Sequence, residues 1–148
     1  MRTLALDVGE RRIGVAISDE RGWLASPTAV ILRRSKAEDC ARLTGMIRER
    51  GVEALVVGHP LNDDGTAGPQ AQRIERYAAA LVEALRAAGL DLPLRLWDES
   101  FSTRSAEEMM IAGGRKARDR RARIDAAAAA VILQEYLDAA RQGEEGVL

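Results

Sequence analysis

Between Thr3 and Ile31, three apolar runs are separated by turns of only four residues. Thr3–Val8 sets Leu4, Leu6 and Val8 against Ala5 and Asp7, and Ile13–Ser18 sets Ile13, Val15 and Ile17 against Gly14, Ala16 and Ser18. Both runs have the period of two that marks a strand. Gly9–Arg12 and Asp19–Gly22 supply the turns, and Trp23–Ile31, delayed by Pro27, reads as a third strand. Turns this short leave no room for a crossover, so the three strands form an antiparallel meander.

Beyond the meander, helix and strand patterns alternate. Ser35 and Glu38 have the spacing of a capping box, which opens a helix with Cys40, Leu43 and Ile47 on one face and Gly51 at its end. Ala54–Gly58 has the apolar, β-branched character of a buried parallel strand. Pro60–Gly68 reads as a loop. Pro69 opens a second helix, whose stripe is Ile74, Ala78, Leu81, Val82 and Leu85, and Gly89 closes it. Leu92–Trp97 follows as a strand, Ser102 caps a short helix ended by Gly113-Gly114, and Ile124–Ala140 forms the last helix. The expected fold is α/β: a mixed five-stranded sheet with helices on its faces and its last two strands parallel to the first. One domain over 1–148 is expected, with 142–148 as a flexible tail.

Composition removes several kinds of chemistry. Cys40 is the only cysteine, which excludes an internal disulfide and a Cys-rich zinc site. A single histidine removes His-rich metal sites and most His-based triads. Aromatic residues are too scarce, at 3%, for a base-stacking platform. The longest uncharged apolar run, Ala126–Leu133, falls far short of the roughly 20 residues of a membrane span. Asp7, Glu10, Arg11 and Arg12 break any leader-like pattern, so a cytoplasmic protein with no membrane association is expected.

The formal net charge is −1, but the charges are unevenly placed. Residues 115–123 hold Arg115, Lys116, Arg118, Arg120, Arg121 and Arg123 against the single acid Asp119. Such a run is either a footprint for a phosphate backbone or a solvated linker. The acids point the same way as the first of these. Asp7 interrupts an apolar strand, where an unpaired carboxylate is costly, and its small neighbours Gly14 and Ala16 would leave open space above it. Asp98 and Glu99 close a strand, at the end where α/β sheets assemble their sites. Asp125 opens the last helix, whose Ala126–Ala130 run lets the backbone approach the sheet closely. Taken singly, Glu99 and Asp125 are ordinary acids near helix N-termini. Taken together, three acids at one sheet end make a hard oxygen site suited to Mg²⁺ or Mn²⁺.

The stretches LALDVGERRIGVAISD, VVGHPLNDDGTAG, DESFSTRSAE and IDAAAAAVILQEYLD resemble, in that order, the YqgF/RuvX family. The resemblance implies an RNase H-like fold and a metal-dependent nuclease, a Holliday junction resolvase or a nuclease processing precursor 16S ribosomal RNA. It places Asp7, Glu99 and Asp125 in a catalytic, metal-holding triad served by two ions of Mg²⁺ or Mn²⁺, with a metal-bound water as nucleophile. Arg11 and Arg12 match a basic turn, and Asn62, Asp64 and Gly65 match a substrate-positioning loop. Nucleic-acid contacts are expected from Arg11, Arg12, Asn62 and the 115–123 run. Ser100 departs from the family's usual Arg, and His59 from its usual apolar residue, which reads as a tolerated loop-edge side chain. The implied partner is four-way-junction DNA or precursor ribosomal RNA, and a homodimer would suit the junction's two cuts. Two rival readings are an actin-like phosphate loop around Leu6–Gly9, for which the chain is too short to supply a second lobe, and a non-catalytic nucleic-acid-binding module.

Overall fold

The computed structural model describes residues 1–98 and 117–147, with side chains over 1–98 and 125–142. Five strands form one sheet: β1 (Thr3–Val8), β2 (Arg12–Ser18), β3 (Ala25–Leu32), β4 (Ala54–His59) and β5 (Leu94–Asp98). Their order across the sheet is β3-β2-β1-β4-β5. β1 and β2 are antiparallel, as are β2 and β3, whereas β4 runs parallel to both β1 and β5. Thus β1, β3, β4 and β5 all end at the same edge, and β2 begins there.

The expected meander and the parallel pair are both present, with small shifts in their bounds. β3 starts at Ala25 because the preceding turn is longer than four residues. Asp19 Oδ1 accepts from the Trp23 and Leu24 N–H groups at 2.7 and 3.3 Å, and the Leu24 carbonyl accepts from the Asp19 N–H. Pro27 lies within β3, where its missing N–H is tolerated because β3 is an edge strand and the register slips beside it, between Val15 and Ala16. β5 begins two residues later than its apolar pattern does, after Pro93.

Helices cover both faces. α1 (Lys36–Arg50) and α2 (Pro69–Ala87) pack on the face carrying Leu4, Leu6, Ile13, Val15, Leu55 and Val57. Only the first half of the expected capping box exists: Ser35 Oγ accepts from the Glu38 N–H at 3.1 Å. The reach back is made instead by Asp39, whose Oδ1 accepts from the Arg34 N–H at 3.1 Å. Gly51 closes α1 in the left-handed region (φ 66°). On the opposite face, α3 (Ala117–Val147) lies across β1, β2 and β3, burying Ala129, Ile132, Leu133 and Leu137 against Ala5, Ala16 and Val56. Its backbone is helical from seven residues before Ile124 and continues through 142–147, beyond the apolar pattern that ends near Ala140. The short helix expected after Ser102 lies outside the described residues. No described helix is long and apolar enough to cross a membrane.

Candidate active site

Asp7 is half-buried near the end of β1, on the α3 face. Its partner across the antiparallel pair is Gly14. Directly opposed residues project to the same side of a sheet, so whatever stands over Gly14 stands beside Asp7. A Cβ placed on Gly14 would lie 1.9 Å from the Asp125 carbonyl oxygen. The open space expected above Asp7 is therefore bounded on its Gly14 side by the backbone at Asp125. Only glycine permits this approach, and the flanking surfaces help it: Ala126, Ala128 and Ala129 are buried on the helix, and Ala5 and Ala16 on the sheet. Two acids 118 positions apart in sequence are thus brought to one place by small residues on both elements.

Arg12 stands on the same face, two residues before Gly14. Its Nε donates to Asp125 Oδ2 at 2.7 Å, with both side chains about one-third exposed. This guanidinium, expected from sequence to grip substrate, is engaged with a candidate metal ligand. Arg11 is exposed in the adjoining turn. Glu99, Ser100, Arg115 and Lys116 lie outside the described residues. Arg118, Arg120, Arg121 and Arg123 fall on the first turns of α3, upstream of Asp125. Among the described residues no three His, Cys, Asp or Glu side chains cluster as a metal site. Asp7 and Asp125 are both carboxylates, and donors of this hardness suit Mg²⁺ or Mn²⁺ rather than a thiophilic ion.

The loop between β4 and α2 is braced internally. Asn62 Nδ2 donates to Thr66 Oγ1 at 3.0 Å, and the Asn62 carbonyl accepts from the Gly65 N–H at 2.8 Å. Asp64 Oδ1 accepts from the Thr66 hydroxyl and N–H, which hold the Asp64 carboxyl below its ordinary value. Asn62, expected to touch substrate, is exposed and helps shape the loop through one amide N–H. His59 ends β4 with its Nε2 buried, 3.7 Å from Glu75 and without a hydrogen-bond partner among the described residues.

A second group of side chains at this edge has no signature in sequence, because its members come from separate elements. Arg33, just past β3, donates from Nη1 to the Gly9 carbonyl at 2.8 Å and stacks over the Tyr77 ring at 4.9 Å. Its Nε lies 3.7 Å from Asp39, which is 1% exposed and also accepts from the Tyr77 hydroxyl at 3.5 Å. Burial, and then the neighbouring Asp39, push the Tyr77 hydroxyl well above its ordinary pKa.

A five-stranded mixed sheet of this order, with helices on both faces, defines an RNase H-like fold, and at one end of it the chain brings Asp7 and Asp125 to one place. The chain belongs to the RuvX family, described as Holliday junction resolvase, whose profile matches residues 1–139. A relative from Geobacillus thermodenitrificans, named "Putative pre-16S rRNA nuclease", is 48% identical over 95% of this chain and all of its own length. One of the same name from Syntrophus aciditrophicus is 42% identical over 96% of this chain and 91% of its own. Among solved structures, Thermus thermophilus RuvC in complex with a Holliday junction substrate matches 95% of this chain and 96% of its own, with a TM-score of 0.59 at 17% identity. That likeness is one of fold.

Proposed function

We propose that this chain is a divalent-metal-dependent endonuclease that hydrolyses a nucleic-acid phosphodiester, with Asp7, Glu99 and Asp125 as its metal ligands. The observation that carries the reading is the seating of Asp125 over Gly14, the strand partner of Asp7. When bound, a pair of Mg²⁺ or Mn²⁺ ions would activate a water and stabilise the leaving oxygen. The chain's own part is positional. β1 fixes Asp7 on a rigid strand, and Gly14 sets the height of Asp125 above the sheet. Arg12 holds the Asp125 carboxylate in place and balances its charge. Arg11 and the basic run 115–123 would meet the phosphate backbone outside the site.

The named relatives support precursor 16S ribosomal RNA as the substrate. The family's description supports four-way-junction DNA, for which a homodimer would supply two matched sites. Incubating purified wild type and Asp7→Asn with both labelled substrates in Mn²⁺, Mg²⁺ or EDTA tests the reading. The expected result is cleavage by wild type alone, abolished by EDTA, with binding retained in Asp7→Asn. Undiminished cleavage by Asp7→Asn removes the triad. Binding without cleavage by wild type in every metal supports the non-catalytic module instead.

A further inference from the structure

On the other side of the same sheet edge lies a cavity of about 260 Å³ between the β1–β2 turn, the start of α1 and the first turns of α2. Val8 and Gly9, which follow Asp7 directly, form part of its wall. Four cations reach it from three elements: Arg33, Lys36, Arg73 and Arg76, against the single acid Glu10. Arg33 is tied to Asp39, Gly9 and Tyr77 and so is rigidly placed. The side chains of Lys36, Arg73 and Arg76 are exposed, and none of them makes an ion pair with any described residue.

This arrangement runs against local helix physics. Arg73 and Arg76 are spaced i, i+3 on one helix face, where like charges repel. The first turn of α2 contains no acid, and its N-cap, Gly68, offers no side chain to the free N–H groups. α1, by contrast, has Ser35 as its cap and Glu38 and Asp39 in its first turn. Gln70, in the first turn of α2, lines the cavity. With Arg33 paired to Asp39, the three cations Lys36, Arg73 and Arg76 face the single lining acid Glu10, so the pocket carries an excess of positive charge that a bound anion would offset.

We infer that this cavity holds a non-scissile backbone phosphate of the substrate strand. Asp7 faces α3 and Val8 faces α1 and α2, so the two sites lie on opposite sides of one strand end. A strand with its scissile phosphate at Asp7 then crosses the sheet edge and places a nearby phosphate among Arg33, Lys36, Arg73 and Arg76. The inference rests on the nuclease reading for its substrate, but its test needs neither metal nor cleavage.

Binding of labelled junction DNA and of a labelled precursor-rRNA fragment is measured in EDTA across a salt series. The proteins are wild type, Arg73→Gln/Arg76→Gln, Lys36→Gln, and Arg50→Gln at the far end of α1. The first two variants, altered at exposed positions on different helices, are expected to weaken binding of both probes. Loss of one phosphate contact makes the log–log salt slope shallower by about 1. Arg50→Gln should match wild type. Unchanged affinity and slope in both cavity variants overturn the inference, as does a wild type that binds neither probe. A thermal-shift titration with inorganic phosphate separates the remaining source. If the cavity variants lose stabilisation by phosphate yet keep full polynucleotide affinity, the pocket is a small-anion site and the strand path is wrong. A wild type that binds through the cavity but cleaves nothing leaves this inference standing and removes the nuclease reading.

Discussion

Gly14 is the residue on which the candidate site turns. Its missing Cβ is what lets α3 rest on β2, because a methyl there would overlap the Asp125 carbonyl. Gly14→Ala is expected to push α3 off the sheet around Asp125, at a cost of about 1–3 kcal/mol typical of an overpacked contact. Urea denaturation measures that cost, and the same displacement should lower cleavage well beyond what the stability loss explains. A variant as stable and as active as wild type would show that Asp125 need not sit where it does. Much of this residue-level picture is legible in the sequence, since an acid inside an apolar strand facing Gly14 and Ala16 is unusual. What sequence could not supply is whether the gap beside Asp7 is empty or filled. That depends on how closely an alanine face packs, which is a tertiary property. The pairing of Arg12 with Asp125 was hidden for the same reason, because the two are 113 positions apart.

At the level of elements, period and punctuation locate every described strand and helix, and errors gather where side chains override pattern. The Asp19 carboxylate lengthens one turn, and Pro93 delays β5. In α1 the box residue Glu38 yields to Asp39, because Asp39 is drawn inward by Arg33 and Tyr77. The basic cavity was invisible because period finds faces of single elements, whereas this pocket is assembled from a turn and the ends of two helices. α1 also carries a matched pair of tests. Ser35→Ala removes the acceptor for the Glu38 N–H and should destabilise by about 1 kcal/mol. Gly45 lies mid-helix with nothing within 4 Å of an added Cβ, so Gly45→Ala should stabilise by roughly 0.5–1 kcal/mol. Opposite shifts of the thermal midpoint are expected, and cleavage should follow neither. A change in cleavage with either variant would mean that α1 does more than support the sheet.

For the whole molecule, the sheet edge joins two kinds of charge. Acids stand on the α3 face and an excess of cations on the α1/α2 face, so the edge presents a dipolar seat rather than a uniform basic surface. The near-zero net charge therefore does not argue against a polyanionic ligand, because attraction is local and screened beyond about 10 Å. On the acidic side Arg12 offsets part of the charge before any ion arrives, and a divalent ion must compete with it for Asp125. Metal binding to the folded chain alone stabilises it by mass action, by about 2.7 kcal/mol at a hundredfold excess over the dissociation constant. Wild type in Mn²⁺ should therefore unfold at higher urea than in EDTA, and Asp7→Asn/Asp125→Asn should lose most of that difference. This readout is independent of turnover, so it tests the site even if the true substrate has not been supplied. Equal stabilisation of wild type and double variant would place the metal elsewhere, and the two carboxylates would then have to be read as structural partners of Arg12 and the sheet.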